Sequence, residues 1–229
     1  MATWNTDNPK IGNTIAADIP DIEENFQEIH DVIEAITDGT FGATTAADFR
    51  VDAMSRIKTL YIPASDFVPT TTAGCANLAN AELATNDIQV EYLAFDNTTR
   101  EYACCHKPMP EDYDLGDIFA KFFWYGAAGC SAADTVEWEI GVSALSDDGA
   151  LDRAITGGTT APDAITADGD LQLSPATAAF PVEGTPASGD LLTFKISRYV
   201  AGIDDMEEDA HLLGVWIQYT ADKKPTAWG

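Results

Sequence analysis

Three histidines, four cysteines and three dense runs of acids are the residues of this chain with the types that could do chemistry. His30, His106 and His211 are scattered, with neither the H-x-H nor the H-E-x-x-H spacing that holds zinc. Cys75, Cys104, Cys105 and Cys130 form no C-x-x-C pair. The adjacent Cys104 and Cys105 point to opposite faces of a strand, so at most one of them joins any cluster. All four read as small buried hydrophobes. Their spacing leaves a Cys75–Cys130 or Cys75–Cys104 bridge open. The acids gather as Glu111, Asp112, Asp114 and Asp117, as Asp168 and Asp170, and as Asp204, Asp205, Glu207, Glu208 and Asp209. Bound Ca²⁺ would need several of these oxygens converging on one point. None follows the EF-hand spacing, and the plain reading is solvated loops. Glycoside hydrolysis needs a carboxyl with a raised pKa in a cleft, which no pattern here marks. No G-x-S-x-G, Walker A or G-x-G-x-x-G occurs. The expectation is a chain with no catalytic residues, no metal site and no cofactor, Ca²⁺ being the one candidate ion.

The charge narrows the partners. Twelve Lys+Arg against 38 Asp+Glu give a formal net charge of -26 over 229 residues. Nucleic-acid phosphates need clustered cations, and anionic membrane surfaces do too, so neither partner is expected. No uncharged apolar run reaches the roughly 18 residues of a membrane span. The first ten residues hold no apolar leader core, which points to synthesis in a cytoplasm.

Two kinds of element would have to position any site. From about residue 58 to 222, strand signals alternate with Gly, Asp, Asn, Thr and Pro clusters. Val136, Trp138, Ile140 and Val142 share one face, as do Leu192, Phe194 and Ile196. Phe119–Tyr125 and Leu212–Tyr219 are apolar strands, and Leu171–Leu173 is a weaker one. The segments 88–95 and 100–106, joined by Asp96–Thr99, read as a hairpin. Gly149–Asp170 reads as a long loop. Seven or eight strands predict a mainly β fold, an antiparallel jelly-roll-like sandwich. Trp124, Trp138 and Trp216 are expected in its core. Tyr113 and Tyr199 are the loop aromatics available to a sugar ring.

The other element is a helix over 18–39. Ile15, Ile19, Ile22, Phe26, Ile29, Ile33 and Ile36 are spaced 4, 3, 4, 3, 4 and 3 apart, an a/d heptad pattern. Asp18 is its N-cap, Pro20 sits in its first turn and Gly39 ends it. Isoleucine at both a and d favours trimers or tetramers. Ile19, Ile22, Phe26, Ile29, Ile33 and Ile36 are therefore the expected oligomerisation residues of a coiled-coil-type helix, against the alternative of a stripe packed on its own domain. Its acids, unrelieved by any Lys or Arg, would repel across a bundle. Residues 1–17 are polar and read as a peptide that orders on a partner, residues 40–57 as a small-residue connector and 223–229 as a tail.

This layout resembles that of trimeric surface proteins of tailed bacteriophages. Trp4-Asn-Thr-Asp-Asn-Pro-Lys-Ile-Gly12, followed by Asp18-Ile-Pro-Asp-Ile-Glu-Glu-Asn-Phe26, is similar to the start of phage fibre proteins. Tyr61-Ile-Pro-Ala-Ser65 and Pro69-Thr-Thr-Thr-Ala-Gly-Cys75 resemble segments of marine-phage virion proteins. The resemblance implies a homotrimeric head spike, decoration protein or fibre, made in the host cytoplasm and mounted on the virion. It implies capsid, neck or tail proteins as partners, with Trp4, Asn8, Pro9 and Ile11 in the anchoring segment. The alternative expectation places the function in the β-domain, as a tail-fibre module for a receptor or host surface glycan.

Overall fold

The structure, a computed structural model, describes residues 56–156 and 158–221. The expected heptad helix lies outside the described residues, as do the anchoring segment and the C-terminal tail. Within them the chain is mainly β. Its strands are β1 (Arg56–Pro63), β2 (Val68–Pro69), β3 (Ala79–Leu83), β4 (Ile88–Phe95), β5 (Tyr102–Pro108), β6 (Phe119–Gly126), β7 (Thr135–Leu145), β8 (Thr159–Ala164), β9 (Gln172–Leu173), β10 (Leu191–Arg198) and β11 (Ala210–Ala221). A single 3-10 turn, Ala64–Asp66, follows β1.

All the strand pairings are antiparallel. One sheet runs β3-β4-β11-β6-β9, with β1 also paired to β11, and the other runs β2-β5-β10-β7-β8. Strands β4 to β11, counted one to eight, lie as 1-8-3-6 and 2-7-4-5. That is a jelly-roll order, two Greek keys folded face to face. The segments 88–95 and 100–106 are consequently no hairpin: β4 pairs with β3 and β11, and β5 with β10 and β2. The Asp96 carboxylate accepts from the backbone N–H of Thr98 and Thr99 at 2.5 and 3.1 Å. This Asx turn carries the chain from one sheet to the other. The expected long loop 149–170 contains β8, whose Pro162 is tolerated because β8 is an edge strand.

The core lies between the sheets. Strict alternation buries Val136, Trp138, Ile140 and Val142 from β7 and Leu192, Phe194 and Ile196 from β10. Phe122 and Trp124 from β6 and Leu93 and Phe95 from β4 face them. Trp138 is the hub, stacked on Phe122 at 5.5 Å and edge-on to Phe95 at 5.3 Å and Trp124 at 6.2 Å. Among the described residues its indole N–H has no hydrogen-bond partner. That omission costs about 1–3 kcal/mol, and the packing of a buried ring, about 3–5 kcal/mol on truncation, outweighs it. Trp124 Nε1 donates to Asp163 at 2.8 Å.

One buried cation organises the loop after β10. Arg198 is fully buried and forks onto Asp204, with Nε–Oδ2 2.9 Å and Nη2–Oδ1 2.7 Å. Its Nη1 also donates to the Glu208 carbonyl at 2.6 Å. Asp204 Oδ2 in turn accepts from Glu137 N of β7 at 3.0 Å. Within the acids of 204–209, Asp204 departs from the expected solvated run as a buried structural anion, while Asp205, Glu207 and Asp209 are exposed. Substituting Arg198→Met leaves that carboxylate buried without its counter-charge. The expected loss is about 3–5 kcal/mol, read as a lower urea midpoint with an unchanged m-value. A loss below about 1 kcal/mol, the level of an exposed ion pair, would contradict this role.

Candidate functional site

The outer faces of the two sheets differ in chemistry. On the six-stranded sheet the outward positions of β1, β11 and β6 include Tyr61, Trp216, Phe119, Phe123 and Tyr125, with Thr59, Gln218 and Lys121 between them. Neither Asp nor Glu appears among these residues, in a chain with 38 acids. Trp216 is 40% exposed, Phe119 38% and Tyr61 47%. Trp216 is therefore no core residue, contrary to the sequence expectation. The cause is a bulge in β11 between Leu212 and Gly214. One extra residue reverses the side-chain alternation, so Leu212 faces inward before it and Val215 and Ile217 after it. Trp216 and Gln218 are turned out.

The bulge also accounts for a glycine. A Cβ at Gly214 would fall 2.5–2.7 Å from the Tyr61 ring and hydroxyl, so this close crossing requires Gly. Tyr61 Oη donates to the carbonyl of the bulged Leu213 at 3.2 Å. Tyr61 meets Phe123 edge-on at 5.8 Å, and Phe123 meets Trp216 edge-on at 4.6 Å. Each ring is braced by the next. Between Trp216 and Phe119 runs a groove of about 150 Å³, bordered by Thr59, Lys121, Ala176 and Gln218. The face presents ring surface flanked by a hydroxyl, an amide and one ammonium.

Further along the same face, His211 stacks on Tyr92 at 4.1 Å and meets Tyr125 edge-on at 4.7 Å. Its Nδ1 is buried without a hydrogen-bond partner among the described residues. Burial holds its pKa below the usual imidazole value, with Asp209 opposing.

On the five-stranded sheet the outer face forms a polar cleft of about 250 Å³, near the small end of ligand sites. Tyr102 from β5, Lys195 and Ser197 from β10 and Glu139 from β7 make its floor. Arg100 pairs with Glu139 and lies 4.7 Å from the Tyr199 ring centroid. Lys195 Nζ stands 4.1 Å over the Tyr102 ring. Ile155, Thr156 and Gly158 form one wall.

The other residues marked from sequence are dispersed. Tyr113 is buried, with its hydroxyl donating to the Gly116 carbonyl, so it offers no ring to a ligand. Tyr199 offers its ring to the Arg100 guanidinium instead, at 4.7 Å. His106 bonds Thr193 Oγ1 at 2.9 Å. Asp112 pairs with Lys58, Asp114 accepts from Gly116 N at 2.8 Å, and Asp205 accepts from Thr135 N at 2.6 Å. Among the described residues no three His, Cys, Asp or Glu side chains converge as metal ligands. All four cysteines are free. Cys104 faces outward and Cys105 the core; burial pushes the thiols of Cys75 and Cys105 up to about 12, so neither is a nucleophile near neutral pH. Sequence reasoning missed Phe119, Gln218, Arg100 and Lys195. The signal for Phe119 and Lys195 was the outward phase of the same alternation that marked the core.

No family profile and no curated protein matches the chain. Among solved structures it is similar to the MgGH51 α-L-arabinofuranosidase bound to arabinose, at 10% identity and TM-score 0.41, over 67% of this chain and 23% of that one. The chain thus spans about a quarter of that enzyme's length. It is also similar to the family 11 carbohydrate-binding module of Clostridium thermocellum with a mixed-linked tetrasaccharide, at 6% identity and TM-score 0.41, over 69% and 94% of the chains. A third is the CBM27-1 module of Caldicellulosiruptor saccharolyticus with mannohexaose, at 9% identity and TM-score 0.35, over 69% and 96%. Likenesses this distant do not say what this chain binds.

His211 supplies a pH test. Its folded pKa lies below the unfolded value of about 6.5, so the unfolded chain takes up the proton first as pH falls. Stability from this group is present above about pH 6.5 and declines as pH drops toward the folded pKa. His211→Phe keeps the ring stack and removes the proton. Between pH 7 and 5.5 the wild-type unfolding free energy should fall more steeply than that of the variant. Equal slopes would contradict a buried neutral imidazole.

Proposed function

We propose that the β-domain binds a neutral polysaccharide along the outer face of its six-stranded sheet, and holds it without turnover. The observation that carries the reading is the set of exposed rings Tyr61, Trp216 and Phe119 among Thr59, Gln218 and Lys121, with no Asp or Glu among these described strand positions. A pyranose has an apolar C–H face and an equatorial rim of hydroxyls. The C–H face gains by burial against an aromatic ring already fixed by its neighbours. The hydroxyls would bond the side chains of Thr59, Gln218 and Lys121. A neutral chain avoids the repulsion that a chain of charge -26 exerts on a polyanion.

Gel-retardation with glucan, xylan, mannan and galactan, followed by calorimetry on the matching hexaoses, tests this. At least one polymer should retard the full-length protein. Trp216→Ala should weaken binding about thirtyfold, the scale of a two-kcal/mol anchoring residue. No retardation by any polymer would overturn the reading. So would a Trp216→Ala variant that binds sugar normally but loses a self-associated mass, because the face would then belong to a second copy.

A second reading rests on Trp4–Gly12, Asp18–Phe26 and the Ile heptad. On their resemblance to phage surface proteins, we propose that the chain is a homotrimeric virion component that displays this β-domain. Trp4, Asn8, Pro9 and Ile11 would anchor it and Ile19, Ile22, Phe26, Ile29, Ile33 and Ile36 would bundle it. Removing residues 1–40 should abolish particle attachment and trimer mass, and leave the sugar affinity of each β-domain intact. Attachment by the truncated chain would contradict the anchoring role.

A further inference from the structure

The geometry points to a second ligand site, independent of the first: we infer that the cleft on the five-stranded sheet binds the oxyanion of a small acidic sugar, a uronate or a sulfate ester, with Lys195 as its counter-charge.

The charges in the cleft do not cancel. Arg100 is committed to Glu139, and its Nε donates to Ser197 Oγ at 3.3 Å. The Ser197 hydroxyl donates to Glu139 Oε2 at 2.7 Å. That trio closes on itself. Lys195 is left over. No carboxylate of the described residues lies within ion-pair distance of it, although acids outnumber cations 38 to 12. Its ammonium sits over the Tyr102 ring, which orients it electrostatically and satisfies none of its three N–H donors conventionally. Lys195 is paired in register with Cys104 and Gly141. Neither carries a charge, and Lys195 lines the cleft.

The wall opposite is already built. Arg153 Nη1 donates to the Ala144 carbonyl at 2.9 Å and to that of Gly184 at 3.3 Å. Thr156 N and Oγ1 donate to Glu183 at 3.0 and 3.1 Å, which leaves the hydroxyl oxygen as an acceptor for a sugar hydroxyl. Ile155 and Gly158 lie directly on the sheet. A Cβ at Gly141 would come within 2.6 Å of Ile155 Cγ2, and one at Gly158 within 2.7 Å of Glu139 Oε1. A cleft of about 250 Å³ with one surplus cation and neighbouring hydroxyls suits a single ring bearing one negative group. An oxyanion there would take a charge-assisted hydrogen bond from Lys195.

The test is an NMR titration of the full-length protein with glucuronate, glucose 6-sulfate and glucose at one fixed ionic strength, followed at the amides of β5, β7 and β10. At least one acidic sugar should bind saturably and at least tenfold more tightly than glucose. The tighter of the two identifies the carboxylate or the sulfate as the recognised group. Lys195→Gln should lose tenfold or more, Lys195→Arg should retain most of the affinity, and Trp216→Ala should bind as wild type. The inference is overturned if glucose binds as well as both acids, if Lys195→Gln binds as wild type, or if no ligand saturates in the millimolar range. None of those results bears on the six-stranded face.

Discussion

β11 has β4 and β1 along one edge and β6 along the other, and the single extra residue at its bulge sets which of its side chains those neighbours share. Before the bulge Leu212 enters the core; after it Val215 and Ile217 do. Without it, period-two alternation would drive Trp216 and Gln218 between the sheets and expose Val215 and Ile217. The core around Trp138 would then have to admit another indole and an amide with no partner, an overpacking and a desolvation together. The bulge thus resolves core volume and surface chemistry in one step. It also opens the carbonyl that Tyr61 binds and creates the shallow place over Gly214 where the Tyr61 ring lies.

The acidity of the chain is managed locally. Carboxylates in the loops accept backbone N–H groups, as Asp96, Asp114 and Asp205 do. Asp204 goes further and is buried against Arg198. This ties the loop after β10 to the start of β7 and brings Tyr199 beside Arg100. The two sheet faces are then left with different electrostatics. One carries no acid among its central outward residues, and the other carries a cleft whose cation exceeds its carboxylate. With these loop acids bonded in turns and Glu139 of β7 paired with Arg100, the self-repulsion that a charge of -26 imposes is relieved on both faces.

The central strands were legible because alternation is strong where one face is buried. β7 and β10 read correctly from Val136–Val142 and Leu192–Ile196, and Trp124 and Trp138 fell in the core as expected. Edge strands carry little of that signal. β3, Ala-Asn-Ala-Glu-Leu, and β8, Thr-Thr-Ala-Pro-Asp-Ala, bury few side chains and were invisible as strands. The segments 88–95 and 100–106 looked like a hairpin because an Asx turn has the same residues whether it folds a strand back or passes it to the other sheet. Trp216 was misplaced because a bulge leaves no mark on composition, and Tyr113 because a loop tyrosine can fold inward over its own turn. The site followed from outward positions, whose types mean nothing until the register sets them side by side.

On the proposed reading the bulge turns Trp216 out to meet a sugar while Trp124 and Trp138 stay sealed. The most direct measurement follows the indole N–H resonances, assigned by single substitutions, as the tightest-binding neutral hexaose is added to the full-length protein. The Trp216 signal should move along a saturable curve while those of Trp124 and Trp138 hold still. A stationary Trp216 signal at saturating sugar would contradict it.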